Sequence, residues 1–416
     1  MPRFRIGNTL TTHTMHESNF IVREPLLDPK QRVIGYELSW QHQEDQPVTD
    51  EELEALIGFV AENVNDDEHG WLLKDKILFL DAVPNMLSTD ALFAMPPERT
   101  VLTMKASDLA DPDTLAAVQG LRAGGVGISV RDGDLAHLGK NLGMSASYIE
   151  VRFSGADVAA QARTYAAAKQ SSVRMVGRPV ATWSDFDACA ALGLDAFVGK
   201  LHLTPRPGMP VKGMNPAQTI ILQLMQMVQK NEDIPKIESV LKRDPALSYK
   251  LLRFINSAGF GVGREIQSLR QAITMLGYSP MYRWLTLLLA TASTSGYSPV
   301  LMETAVVRGR LTELLGNKGL PRSESENLFM TGMFSLLDRL LGLSMKEVLD
   351  TIQLPDEVVR ALLTRGGAYG PYLALAEACE LNSQLVASLA KSINIAPVDV
   401  NKAHLSALAW AQNLTT

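Results

Sequence analysis

The chain predicts an α/β barrel in its first half and an all-helical domain in its second. Three features carry this expectation. Short apolar segments alternate with amphipathic helical patterns up to about residue 203. A segment with three prolines and two glycines follows, from Thr204 to Gly213, and neither a helix nor a central strand tolerates that composition. Beyond it nearly every segment has a helical period.

The candidate strands begin at Phe20 (FIVREPL), Val33 (VIGYELS), Ile77 (ILFLD), Thr100 (TVLTM), Val126 (VGISV), Ser147 (SYIEV), Val173 (VRMVG) and Ala196 (AFVGK). Helices are expected over Asp50 to Val64, Asp111 to Ala123, Ala156 to Gln170 and Ser184 to Leu192. Short apolar strands separated by helices imply a parallel sheet covered on both faces, and eight of them suit closure into a barrel. No helix separates the first two strands. Leu27-Asp28-Pro29-Lys30 is turn chemistry, so a hairpin is expected there.

Composition sets outer limits. With 416 residues, 20% of them charged, and a hydrophobic fraction of 46%, the chain is long enough for two globular domains with sizeable cores. A net charge of −6 argues against nucleic acid as a partner, because phosphate binding needs a basic surface. Cys189 and Cys379 lie far apart in the chain and read as buried thiols of a reducing, cytoplasmic setting. Residues 1–18 are polar, lack an apolar signal-like run and are expected to be disordered. The longest apolar stretch, around Trp284 to Ala292, is too short to cross a bilayer, so no membrane association is expected.

In the second half, Asp244-Pro245 reads as a helix cap followed by proline at the first helical position. Leu247, Leu251, Phe254, Ile255 and Ala258 then form an apolar stripe, with Gly259 placed to end the helix. Ser268 is expected to cap a second helix carrying Leu269, Ala272, Ile273 and Leu276, closed by Gly277. Asn256 and Ser257 are expected to bond locally at the intervening turn. Further helices are expected at Pro216 to Gln229, Ile234 to Lys242, Pro280 to Ser293, Pro299 to Leu315 and Ser323 to Leu341, with others to Leu414. In order, Asp-Pro-x-Leu, the Leu-Leu-Arg pair, Asn256-Ser257 and the Ala-Ile-x-x-Leu-Gly end resemble the core of the HDOD domain. That family is an all-helical relative of HD-type metal phosphohydrolases. It lacks their metal ligands, and this chain has no histidine between His202 and His404.

Arg23-Glu-Pro-Leu-Leu through Gly35-Tyr-Glu-Leu-Ser-Trp-Gln41 resembles the opening of EAL domains, barrel phosphodiesterases that cleave cyclic di-GMP. Glu37 falls on the signature glutamate, and Gln41 on the arginine that contacts the nucleotide. The resemblance puts Asp81 on a metal-ligating asparagine and Thr103 on a glutamate. It puts Arg131-Asp132 on an Asp-Asp pair, Glu150 on a lysine, Arg178 on the glutamate of a late strand and Val198 on a glutamine. A metal pair needs net negative surroundings, and metal-activated water does the hydrolysis. Two like charges ~4 Å apart repel by about 4 kcal/mol at an effective dielectric of ~20, so Arg131 and Arg178 oppose a metal. Glu37, Asp81 and Asp132 are expected to pair with these arginines, or Glu37 to be satisfied by backbone amides.

Taken together, the chain resembles the bacterial EAL–HDOD two-domain signalling proteins, the YuxH-like family, with a degenerate EAL domain. The expected organisation is a barrel at 19–203, a linker at 204–214 and the HDOD domain at 215–416. The expected function is a non-catalytic regulatory or scaffold module linked to cyclic di-GMP, acting through protein partners and without metal or cofactor. The alternatives are a receptor using Glu37, Asp81, Arg131, Asp132 and Arg178 as an anion pocket, and a residual phosphodiesterase. A homodimer through the barrel is implied by analogy. The HDOD core is expected to rest on Asp244, Pro245, Leu251, Asn256 and Ser257.

Overall fold

A computed structural model describes residues 19–41, 49–66, 70–131, 142–152, 172–204, 206, 216–256, 266, 268–291, 299–351 and 354–412. The chain divides into two compact units: Met1–Thr204 with Ser298–Val300 and Ala374–Thr416, and Pro205–Tyr297 with Leu301–Leu373.

The first unit contains a closed barrel of eight strands. These are β1 (Ile21–Leu27), β2 (Val33–Trp40), β3 (Ile77–Asp81), β4 (Thr100–Lys105), β5 (Gly127–Arg131), β6 (Tyr148–Arg152), β7 (Arg174–Arg178) and β8 (Ala196–Val198). Each lies within a residue or two of the segment expected. From β2 to β8 the neighbours are parallel, and β1 closes the barrel antiparallel to both β2 and β8. The expected hairpin explains this. Asp28 accepts from the Lys30 and Arg32 amides at 2.9 and 2.8 Å and from the Arg32 side chain at 2.7 Å, reversing the chain in place of a crossover helix.

Alternation along the strands sends every second residue inward. Leu26, Phe79, Val101, Tyr148, Val176, Ala196 and Val198 fill the interior as one apolar cluster, with Phe79 and Tyr148 edge to face at 5.1 Å. Gly35 is required by this packing, since a Cβ there would lie 2.2 Å from the Ile77 carbonyl oxygen on β3.

Outer helices are locally specified. A Thr49–Glu52 capping box starts α1 (Asp50–Val64), which buries Leu53, Leu56, Ile57 and Val60. Asp111 caps α2 (Pro112–Ala123), and Thr182 with Asp185 caps α3 (Trp183–Ala191). The expected helix at 156–170 lies outside the described residues, as does most of the linker.

The second unit is helical among its described residues. It includes α4 (Pro216–Gln229), α5 (Ile234–Leu241), α6 (Pro245–Ile255), α7 (Leu269–Leu276), α8 (Tyr278–Thr291), α9 (Pro299–Gly316), α10 (Ser325–Phe334) and α11 (Asp356–Thr364). Two expectations need correction here. The helix expected over Ser323 to Leu341 is broken after Phe334, where Leu336 leaves helical geometry, and resumes at Leu337–Leu341. Ser268 precedes α7 without a side-chain capping bond.

The chain then returns to the first unit. Its last helices are α12 (Gly370–Leu381), α13 (Val386–Ser392) and α14 (Pro397–Gln412), and α14 packs against α1. Asn401 on α14 accepts from the Ile21 amide and donates to the Asn19 carbonyl, both at 2.8 Å, tying down the start of β1. The expected single domain at 215–416 is therefore split. Its tail from Ala374 onward groups with the barrel, because the buried faces of these helices are satisfied there.

Candidate functional site

The strands' C-terminal ends form the mouth of the barrel, the end where functional groups of such barrels converge. Directly above the apolar cluster, the same inward alternation brings up Glu24, Glu37, Thr103, Ser129 and Glu150. The next level carries Asp81, Lys105, Arg131, Arg152 and Arg178, with Lys200 just past β8.

Register makes this layer tense. Glu24 and Glu37 stand opposite each other across the β1–β2 pair, an unfavourable like-charge arrangement. Arg178, on the far side of the barrel at the end of β7, forms an ion pair with Glu37 and lies 3.6 Å from Glu150 through its Nε atom. The three side chains are 19%, 13% and 2% exposed, so the charges are largely desolvated. Burial pushes the Arg178 guanidinium below its usual pKa, and Glu24 partly offsets that effect. Arg131 pairs with Asp81 at 2.9 Å. Lys200 is also lowered by burial, with Glu24 and Glu380 opposing the shift. The Thr103 and Ser129 hydroxyls are buried side by side on β4 and β5, with no hydrogen-bond partner among the described residues. They form a polar shelf on the same level as the acids.

Of the residues singled out from sequence, Glu37, Asp81, Arg131 and Arg178 converge here, each in an acid–arginine pair. Asp132 lies outside the described residues. Of the two expectations for Glu37, pairing with an arginine is the one observed. Glu24, Ser129 and Lys200 were not singled out, yet counting in twos from Leu26, Arg131 and Val198 would have found all three. Gln41 stands at the rim, where its amide donates to the Ser383 carbonyl at 2.6 Å. Among the described residues no group of three or more His, Cys, Asp or Glu side chains is placed to hold a metal ion. Glu37 and Asp81 each face a guanidinium group.

In the helical unit, Asp244 accepts from the Ala246 and Leu247 amides at 2.9 and 3.1 Å, Pro245 opens α6, and Leu251 is fully buried. The helix ends at Ile255, capped by Asn256, rather than at Gly259, which with Ala258 and Ser257 falls outside the described residues. Asn256 is not a local cap alone. Its amide donates to the Ile266 carbonyl and accepts from the Ile266 amide, both at 2.8 Å. These bonds tie the end of α6 to Ile266, and residues 214–347 match the HDOD domain.

The helical unit contains an HDOD domain.

Relatives extend over nearly the whole chain. "Cyclic di-GMP phosphodiesterase CdgJ" of Vibrio cholerae is 25% identical over 95% of this chain and 93% of its own length. "Uncharacterized protein YuxH" of Bacillus subtilis is 24% identical over 95% of this chain and 98% of its own. The similarity to these two relatives thus spans both halves of the chain. Among solved structures, the PaMucR phosphodiesterase in complex with c-di-GMP aligns with 48% of this chain and 96% of that chain. Its identity is 19% and its TM-score 0.35. The EAL domain of Mycobacterium smegmatis DcpA aligns with 44% of this chain and 90% of that chain, at 15% identity and a TM-score of 0.33.

One expectation is overturned by these relatives. A non-catalytic regulatory or scaffold module was expected, but a relative alignable from end to end carries the name of an enzyme. No described helix is long and apolar enough to cross a membrane.

Proposed function

We propose that this chain works in cyclic di-GMP signalling and that the barrel mouth engages the dinucleotide itself. One observation carries the reading. Two guanidinium groups, Arg131 and Arg178, stand in the mouth, each facing a carboxylate beside an unpartnered hydroxyl shelf. A phosphodiester can replace a carboxylate against an arginine with the same forked geometry. Thr103 and Ser129 would then donate to phosphate oxygens from below. The name of the Vibrio relative supports cyclic di-GMP as the anion.

Equilibrium titration of the full chain with labelled cyclic di-GMP tests this. Saturable micromolar binding that is lost on Arg131→Ala supports it, and no binding at high micromolar concentration ends it. A second reading, hydrolysis of cyclic di-GMP, is favoured by the name of that same relative. It requires Glu37 and Asp81 to be released from their arginines. Chromatography for linear product with Mg²⁺ or Mn²⁺ decides it: turnover lost on Glu37→Gln establishes the reading, and intact substrate after prolonged incubation removes it. In either case we place the protein in the cytoplasm with the messenger. We assign a protein partner to the HDOD domain, to be sought by pull-down, and a homodimer to the barrel, to be tested by sedimentation.

A further inference from the structure

The other end of the barrel holds a cavity of about 500 Å³, within the range of small-ligand sites. Its floor is apolar, formed by Ile34, Ile77, Val101 and the Tyr148 ring at the starts of their strands. Ile34 and Ile77 are left half-buried although they pack on the barrel core. The wall carries two arginines. Arg122, near the end of α2, donates from Nε to the Met144 carbonyl at 3.1 Å and from a terminal nitrogen to the Gly143 carbonyl at 3.1 Å. Its other terminal nitrogen bonds the Ser147 hydroxyl. Arg174, at the start of β7, donates to the Tyr148 hydroxyl at 2.9 Å and lies 5.4 Å from the centre of that ring.

Every one of these acceptors is neutral, and neither guanidinium has a carboxylate partner among the described residues. That contrasts with the mouth, where Arg131 and Arg178 are both matched to acids. Partial burial also lowers the Arg122 pKa. Asp75 and Glu98 stand on the same rim, and Asp75 is offset by Lys76 at 3.5 Å. The two acids disfavour an extended polyanion such as nucleic acid, and leave room for one compact negative group.

We propose that this cavity binds a small amphiphilic anion, a carboxylate or phosphate monoester on an apolar body. Arg122 and Arg174 grip the charged group, and Ile34, Ile77 and Tyr148 take the apolar body. The fixed hydrogen bonds of Arg122 leave its remaining N–H groups oriented before any ligand arrives, which lowers the entropic cost of binding. Because the site lies at the strand starts, it is independent of any dinucleotide in the mouth.

The test is isothermal titration of the full chain at low salt with benzoate and, separately, phenyl phosphate. Saturable one-to-one binding of at least one probe is expected, with the tighter probe identifying the headgroup. Arg174→Ala should weaken it at least about tenfold, since a charge-assisted pair is lost. Ser172→Asp, at an exposed position lining the cavity, should do the same by repulsion, and it tests the idea even if Arg174→Ala fails to fold. Saturating cyclic di-GMP should leave the probe affinity unchanged. Absence of saturation for both probes by about 10 mM overturns the proposal, as does wild-type affinity in the folded variants.

Discussion

Replacing Arg178 with methionine tests the account of the mouth at its centre. Arg178 reaches across from β7 to Glu37 on β2, and Glu150 on β6 lies 3.6 Å from its Nε atom. At an effective dielectric of ~20, a unit pair at that separation attracts by about 5 kcal/mol, most of it offset by desolvation of both partners. Methionine keeps the apolar stem and removes the charge. It leaves Glu37 at 13% and Glu150 at 2% exposure beside Glu24, with no guanidinium between them. Breaking a buried pair from one side costs about 3–5 kcal/mol.

The two-unit chain is not expected to unfold in one step, so a single melting temperature is the wrong observable. Hydrogen exchange read by mass spectrometry on β2 and β7 peptides reports the local opening free energy directly. Protection in these strands should fall by about two to three and a half orders of magnitude at pH 8. The sign of the pH effect follows from the stranded acids. Their protonation removes the uncompensated charge, so the deficit should shrink as pH falls toward 5. Arg178→Met combined with Glu37→Gln should recover part of the loss. Unchanged protection in the single variant, or a deficit that grows on acidification, would refute the reasoning.

Two further outcomes follow from the return of the C-terminal helices to the barrel. His404 on α14 is fully buried, and desolvation first, then the Arg23 charge, lower its pKa from 6.5 to about 3. A depressed histidine keeps its stability contribution above the unfolded value of 6.5 and loses it as pH falls toward 3. The native packing around His404 should therefore lose about 2 kcal/mol at pH 5 relative to neutral pH, and His404→Gln should flatten that slope in hydrogen exchange of α14 peptides. Asn401→Ala removes both bonds to the start of β1 and leaves the buried Ile21 amide unmatched, costing about 1–3 kcal/mol. Faster exchange should appear at residues 19–22 and not in the HDOD domain.

Much of the barrel was legible because its signals are local. Apolar runs bounded by turn residues identify all eight strands, and Asp28 identifies the hairpin that sets β1 antiparallel. The caps at Asp111 and Asp244 can be read for the same reason. What escaped depends on distance in sequence. Asn256 bonds Ile266, and Asn401 bonds residues 380 or more positions away, so neither partner can be inferred from spacing. The division of the helical half escaped too, because an amphipathic stripe says that a face is buried and not against which domain. In the mouth, Arg131 and Arg178 were found through resemblance. The supporting Glu24, Ser129 and Lys200 required only the two-residue period, applied one step along each strand.

The pairing of Arg178 with Glu37 also constrains how an anion can enter the mouth. A phosphate that takes the guanidinium leaves Glu37 opposite Glu24, near Glu150, without its counter-charge. That carboxylate sits at 13% exposure and cannot regain full hydration. Its lowest-energy response is to take up a proton, as desolvation and like charges both favour the neutral acid. Cyclic di-GMP binding should then be coupled to proton uptake and tighten as pH falls. Titration calorimetry in buffers of different ionisation enthalpy measures that uptake directly. Glu37→Gln should abolish the uptake while retaining affinity, because the neutral amide needs no counter-ion when Arg178 turns to the phosphate. Uptake that survives in this variant would move the proton, and with it the ligand, away from the Arg178 side of the mouth.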